Sequence, residues 1–193
     1  MGAVHTFDHD FPSASEGKVI PCGVYDVRAN AALLTLARGS DTGELVGDSI
    51  RMWWNRIGRY GYGGAKQMLI LADSGGSNGC RVRLFHEQLF KISEHLGITI
   101  RVAHLPSYCS KYNPIDHRVF YHVTSALKGL VFHSIEAIRI AASRTATSTS
   151  LQVKVAILQR IYRRGVQATG RFLSGDYIRH DADLSKYNYT TTG

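Results

Sequence analysis

The chain has no long apolar run, few cysteines and a shortage of acid. Its longest uninterrupted apolar stretch, Met68–Ala72, is five residues. A helix crossing a bilayer needs about 20, so a transmembrane helix is excluded. The opening MGAVHTFDHDFP carries neither a basic segment nor an apolar one, and no secretory signal is expected. Three cysteines, Cys22, Cys80 and Cys109, lie far apart and form no Cys-x-x-Cys pair. That excludes a disulfide scaffold and a cysteine zinc site, and suits a reducing cytoplasm. Several catalytic signatures are also missing. No Gly-Lys-Ser/Thr follows Gly75, Gly76 and Gly79, so they do not make a phosphate-binding loop. There is no Gly-x-Ser-x-Gly elbow, and the nine histidines contain no His-Glu-x-x-His.

What remains is a globular chain with an excess of positive charge. Its 193 residues, 44% hydrophobic, suffice for one domain with a proper core. Twenty-three Lys and Arg against 15 Asp and Glu give a net charge of +8, which favours an anionic partner such as nucleic acid. The excess is concentrated. From Ala137 to Gly175 there are seven basic residues (Arg139, Arg144, Lys154, Arg160, Arg163, Arg164 and Arg171) and no acid. A solvated basic face would carry the same pattern. The candidate DNA-binding residues are Lys154, Arg160, Arg163 and Arg164.

The order of elements points to a fold. Lys18–Asp26 and Ala31–Arg38 read as a hairpin around the turn Val27–Asn30. A helix capped at Asp41-Thr42 follows, with Val46, Ile50, Trp53, Trp54 and Ile57 on one face, and is expected to end at Gly58. Met68–Ala72 reads as a strand buried on both faces, stopping at Asp73. Val82, Phe85, Leu89, Ile92 and Leu96 form a helical stripe capped by Gly97, with Asn78 at its start. Ile98, Ile100 and Val102 alternate as a strand running to Pro106. The loop Ser107–Asn113 then leads into a helix with Asn113 as cap and Pro114 at its first position. A further helix covers Ser134–Ser143, Leu151–Ile157 alternates like a strand with a helix as the alternative, and the tail after Leu173 reads as irregular. This is the order of an α/β, ribonuclease-H-like mixed sheet flanked by helices, with its first strand missing. The expected division is a core at 1–145 and a basic C-terminal extension at 146–193.

Two acids stand where chemistry is placed in open α/β folds. Asp73 ends a strand and is followed by Ser74-Gly75-Gly76, so its carboxylate emerges at the C-terminal edge of the sheet. Asp116 falls in the first turn of the helix after Pro114, where an acid also complements the helix dipole. Around it lie His104, Lys111, Asn113 and His117, a polar density that is costly between a buried strand and a helix unless it serves a site. With Asn78 these are the supporting candidates. Carboxylate oxygens suit hard divalent ions such as Mg²⁺ or Mn²⁺, and a pair of such ions needs about three shared acids.

Consecutive blocks resemble a known family. His9-Asp10-Phe11-Pro12, Gly17-Lys18, Ile20-Pro21 and Gly23-Val24-Tyr25-Asp26 open the resemblance, with Ser49-Ile50-Arg51 and Trp53-Trp54. Ala72-Asp73-Ser74-Gly75-Gly76-Ser77-Asn78-Gly79, Arg81-Val82-Arg83-Leu84 and His104-Leu105-Pro106 continue it. Ser110-Lys111-Tyr112-Asn113, Ile115-Asp116-His117-Arg118-Val119-Phe120 and the closing Tyr187-Asn188-Tyr189-Thr190 complete it. In this order they resemble the ISAzo-thirteen family of insertion-sequence transposases of the DDE type. The resemblance implies metal-dependent cleavage and strand transfer at transposon ends, with Asp73 as the second catalytic acid. Asp116 stands where the family usually has Glu, one methylene longer. The expected partners are double-stranded end and target DNA and further copies of the chain, at the nucleoid, with no membrane.

The family's first acid lies upstream of the His-Asp-Phe block, so the chain is expected to be a truncated and inactive copy. Asp10 and Asp26 are the chemically available substitutes for that acid. The alternative is a DNA-binding remnant without catalysis; an unrelated metal-dependent nuclease on the same fold ranks last. Without a first strand, Val24 and Ile70 are expected to lose a neighbour and the fold to loosen.

Overall fold

The structure, a computed structural model, describes residues 18–193. The expected hairpin forms: β1 (Val19–Asp26) pairs antiparallel with β2 (Ala31–Gly39), Asp26 lying opposite Ala31. Asp26 closes the turn with its own carboxylate, which accepts the backbone N–H groups of Arg28 and Ala29 at 3.0 Å each. Thr42 caps α1 (Gly43–Trp53), its hydroxyl accepting the Leu45 N–H at 3.3 Å. The helix does not end at Gly58 as expected. It continues through a π-helical turn at Trp54–Gly58 into α2 (Arg59–Tyr62). A Cβ on Gly58 would meet the rings of Trp53 and Trp54 at 2.9 Å, so here the glycine admits two indoles rather than stopping the helix.

The strand β3 (Gln67–Asp73) corrects another expectation. Leu69 is 63% exposed and Leu71 47% exposed, so the strand is buried on one face only. It pairs in parallel with β4 (Thr99–Leu105), in register from Gln67 opposite Thr99 to Asp73 opposite Leu105. Between them runs α3 (Arg83–Leu96), whose stripe buries Phe85, Leu89 and Ile92 completely and ends at Gly97 with φ +64°. Its first residue is Arg83. Asn78 sits earlier, in a 3₁₀ turn at Gly76–Asn78.

After β4 the chain re-enters helix at Pro114, passes a π-helical turn at Asp116–Phe120 and continues as α4 (Tyr121–Leu127). Ser134 caps α5 (Ile135–Ser143). Residues 146–193 then supply strands to both sheets. β5 (Gln152–Tyr162) lies parallel to β2 and extends well past Ile157. The tail, expected to be irregular, forms α6 (Gly170–Ser174), β6 (Ile178–His180) and β7 (Asn188–Thr191). β7 lies between β4 and β6, antiparallel to both, which buries Tyr189 completely.

The α/β class is as expected, but a single sheet is not what forms. There are two mixed sheets, β1-β2-β5 and β3-β4-β7-β6. Among the described residues β1 and β3 each pair on one side only, so no ladder joins the sheets. A shared core does. Val24 and Leu33 of one sheet and Ile70, Ile100 and Val102 of the other pack with Trp53, Trp54 and Phe85. Fully burying one such side chain contributes about 1.5–3 kcal/mol. A second cluster, with Ala32, Leu34 and Leu36 against Val119, Val123 and Ala142, covers the opposite face of the first sheet. Among the described residues no helix is long and apolar enough to cross a membrane.

Candidate active site

Parallel pairing carries the C-terminal ends of β3 and β4 to one edge, and the site is built there. Asp73, half-buried, closes β3 opposite Leu105. The loop after β4 returns to it. Asn113 is 7% exposed, and its Nδ2 donates to Asp73 Oδ1 at 3.1 Å. The Asn113 backbone carbonyl accepts the Asp116 N–H at 3.2 Å. One residue thus aims the first acid and starts the turn that carries the second.

Asp116 is half-buried as well. Burial holds its carboxyl above the usual carboxylate range, and the negative charge of Asp73 raises it further, against the opposing effect of His117. The structure therefore brings the two acids close enough to repel one another.

His104 lies beneath them, 5% exposed. Its Nδ1–H donates to the Asp73 backbone carbonyl at 2.8 Å, and its Nε2 accepts the Tyr189 hydroxyl at 3.1 Å. Burial pushes its pKa down, which keeps the ring in the neutral form that this donor–acceptor pattern requires. Tyr189, from the tail strand, is a site-supporting residue with no local sequence signal beyond its place in the closing block.

The remaining candidates sit farther out. His117 Nε2 donates to the Lys111 backbone carbonyl at 2.6 Å, and Lys111 Nζ lies 5.0 Å from the Tyr112 ring centre; all three side chains are exposed. Asn78 has no hydrogen bond to either acid among the described residues. Asp26 does not join the pair: it lies on β1 in the other sheet, and its Oδ1 accepts two N–H groups of its own turn. It faces Tyr62, whose hydroxyl is pushed up by burial and by the Asp26 carboxylate. Asp10 lies outside the described residues. Among those residues no third acid, histidine or cysteine joins Asp73 and Asp116 into a metal-binding group.

All four basic candidates are exposed, but Arg160 is ion-paired within the chain. It pairs with Glu44, lies 3.6 Å from Asp48 and sits over the Tyr162 ring.

The donor set at Asp73 and Asp116 suits a hard divalent cation: two carboxylates in mutual repulsion, which a positive ion would relieve, and no soft ligand beside them. Fold and site together define a mixed α/β domain with a two-carboxylate centre at the C-terminal edge of a parallel strand pair. Residues 2–193 match the family described as the Rhodopirellula transposase DDE domain, and the chain belongs to that family. The match bears out the resemblance to ISAzo-thirteen transposases. No curated protein and no solved structure matches the chain.

Proposed function

We propose that this is the catalytic domain of a DNA transposase, acting on phosphodiesters at insertion-sequence ends, and that these 193 residues alone do not cut strands. The observation that carries the reading is the convergence of Asp73, Asn113 and Asp116 in a chain of this family. Asp73 and Asp116 would hold Mg²⁺ or Mn²⁺, which when bound supplies Lewis-acid activation of water or a DNA 3′-hydroxyl. Asn113 fixes the rotamer of Asp73. Tyr189, through His104, fixes the backbone beneath it. Asp116 offers two oxygens on a stem one methylene shorter than Glu, so the cation would sit closer to its helix.

Calorimetry tests the pairing. The chain is expected to bind Mn²⁺ weakly, Asp73→Ala to abolish binding, and Asn113→Ala to weaken it by about tenfold or more, as loss of a residue orienting a ligand does. Equal affinity in wild type and Asp73→Ala would sink it. The second reading, a DNA-binding remnant without catalysis, is favoured by the finding that only two acids meet among the described residues. Single-turnover strand transfer on labelled end DNA separates the two. Strand transfer by the 193-residue chain, lost in Asp73→Asn, establishes a catalyst and removes the proposal that the chain is inactive.

A further inference from the structure

The fold gathers four arginines that the sequence keeps in two places. Arg81 and Arg83 precede and open α3, while Arg163 and Arg164 follow β5, and all four line one open cavity of about 530 Å³. Among the described residues none of the four guanidiniums forms an ion pair. The acid in the cavity wall is Asp41, whose carboxylate accepts the Ser77 hydroxyl at 2.5 Å. Holding four unpaired positive charges around one concavity is unfavourable by itself, and a multivalent anion relieves it. Arg160, by contrast, is neutralised by Glu44 and Asp48 although it belongs to the same acid-free stretch. The basic surface is therefore not a uniform solvated face.

The cavity also has a direction. A smaller one, about 270 Å³, shares Arg81 and Val82 with it and reaches Ser74 and Gly75, the residues that follow Asp73; Lys186 lines it too. Concave surface thus runs from Ser74 and Gly75, next to Asp73, past Lys186 and Arg81 to Arg83, Arg163 and Arg164. We propose that this cavity seats the backbone phosphates of the DNA strand whose phosphodiester lies at Asp73 and Asp116, with Arg81, Arg83, Arg163 and Arg164 as phosphate contacts. Arginine suits the task because its planar fork gives two parallel N–H donors to a phosphate. The assignment rests on the transposase reading.

The test measures binding of the full chain, carrying Asp73→Asn to prevent cutting, to a 20-base-pair end duplex by fluorescence anisotropy across a salt series. Arg83→Gln with Arg163→Gln, and separately Arg81→Gln with Arg164→Gln, should each lower the slope of log affinity against log salt by about two. Each should also weaken binding at low salt by tenfold or more. Arg59→Gln on α2, at the end of β3 away from Asp73, should leave the slope within one unit. Melting curves of the variants that match the parent exclude a folding defect. Duplex binding with unchanged slopes in both double variants overturns the cavity and leaves the transposase reading standing. A parent that binds no duplex overturns both. Tighter binding of free ATP than of duplex overturns the DNA assignment.

Discussion

Tyr189→Ala is expected to cost about 3–5 kcal/mol, the range for truncating a fully buried aromatic side chain. For a chain of this length that lowers the melting temperature by roughly 6–20 °C. The cost is high because Tyr189 serves three structures at once. It is fully buried in β7, which joins β4 to β6. Its ring centre lies 4.5 Å from that of His86 and 5.5 Å from that of His104. Its hydroxyl supplies the hydrogen bond to His104 that continues to the Asp73 carbonyl. Tyr189→Phe separates these roles. It keeps the packing and removes the hydroxyl, so it should cost only about 1 kcal/mol. If Ala and Phe variants melt within 2–3 °C of each other, the tail strand is not part of the core.

Acid should weaken the fold from about pH 6.5 downward. His86 is 8% exposed, and its Nε2 has no partner. Burial, and then the neighbouring charges of His104 and His180, push its pKa from 6.5 down to about 4; Arg83 acts in the same direction, and only a bond to the Cys80 backbone opposes it. Above pH 6.5 the ring is neutral in both the folded and the unfolded chain, and its contribution is flat. Below 6.5 the unfolded chain takes up a proton that the folded chain refuses until about pH 4. Stability therefore falls through that window and levels off beneath it, by about 3 kcal/mol in all. His104, also lowered by burial, adds to the loss in the same direction. Urea midpoints of wild type and His86→Gln between pH 7.5 and 4 check this. Parallel curves for the two proteins would show that His86 does not titrate on unfolding.

Much of the fold is legible in local pattern. The stripe of α3, the alternation of β4, the Thr42 and Ser134 caps and the Gly97 terminus all rest on interactions within a few residues, and the structure shows each of them. The acid pair belongs with these. A carboxylate at a strand end and another in a first helical turn are positions that chain order alone specifies. Asn113 is legible for the same reason, although its bond is to Asp73 across the edge, 40 residues away in sequence.

Other features depend on contacts that local pattern cannot report. The run Met68–Ala72 states how apolar β3 is, but only its neighbours decide how many of its faces are covered, and Leu69 and Leu71 remain exposed. The acid-free stretch states its charge, but not that Arg160 is paired while Arg163 and Arg164 are not. The sequence by itself determined the class of the domain, most of its helices and strands, its family and the positions of the two acids of the proposed site. Tertiary structure alone decided the division into two sheets, the place of Tyr189 behind His104 and the union of Arg81 and Arg83 with Arg163 and Arg164. The physical reason is range. Caps and periodicity act over one or two turns, whereas β7 pairs with β4 across more than 80 residues, and such pairing is chosen by whichever surfaces the whole chain leaves to be buried.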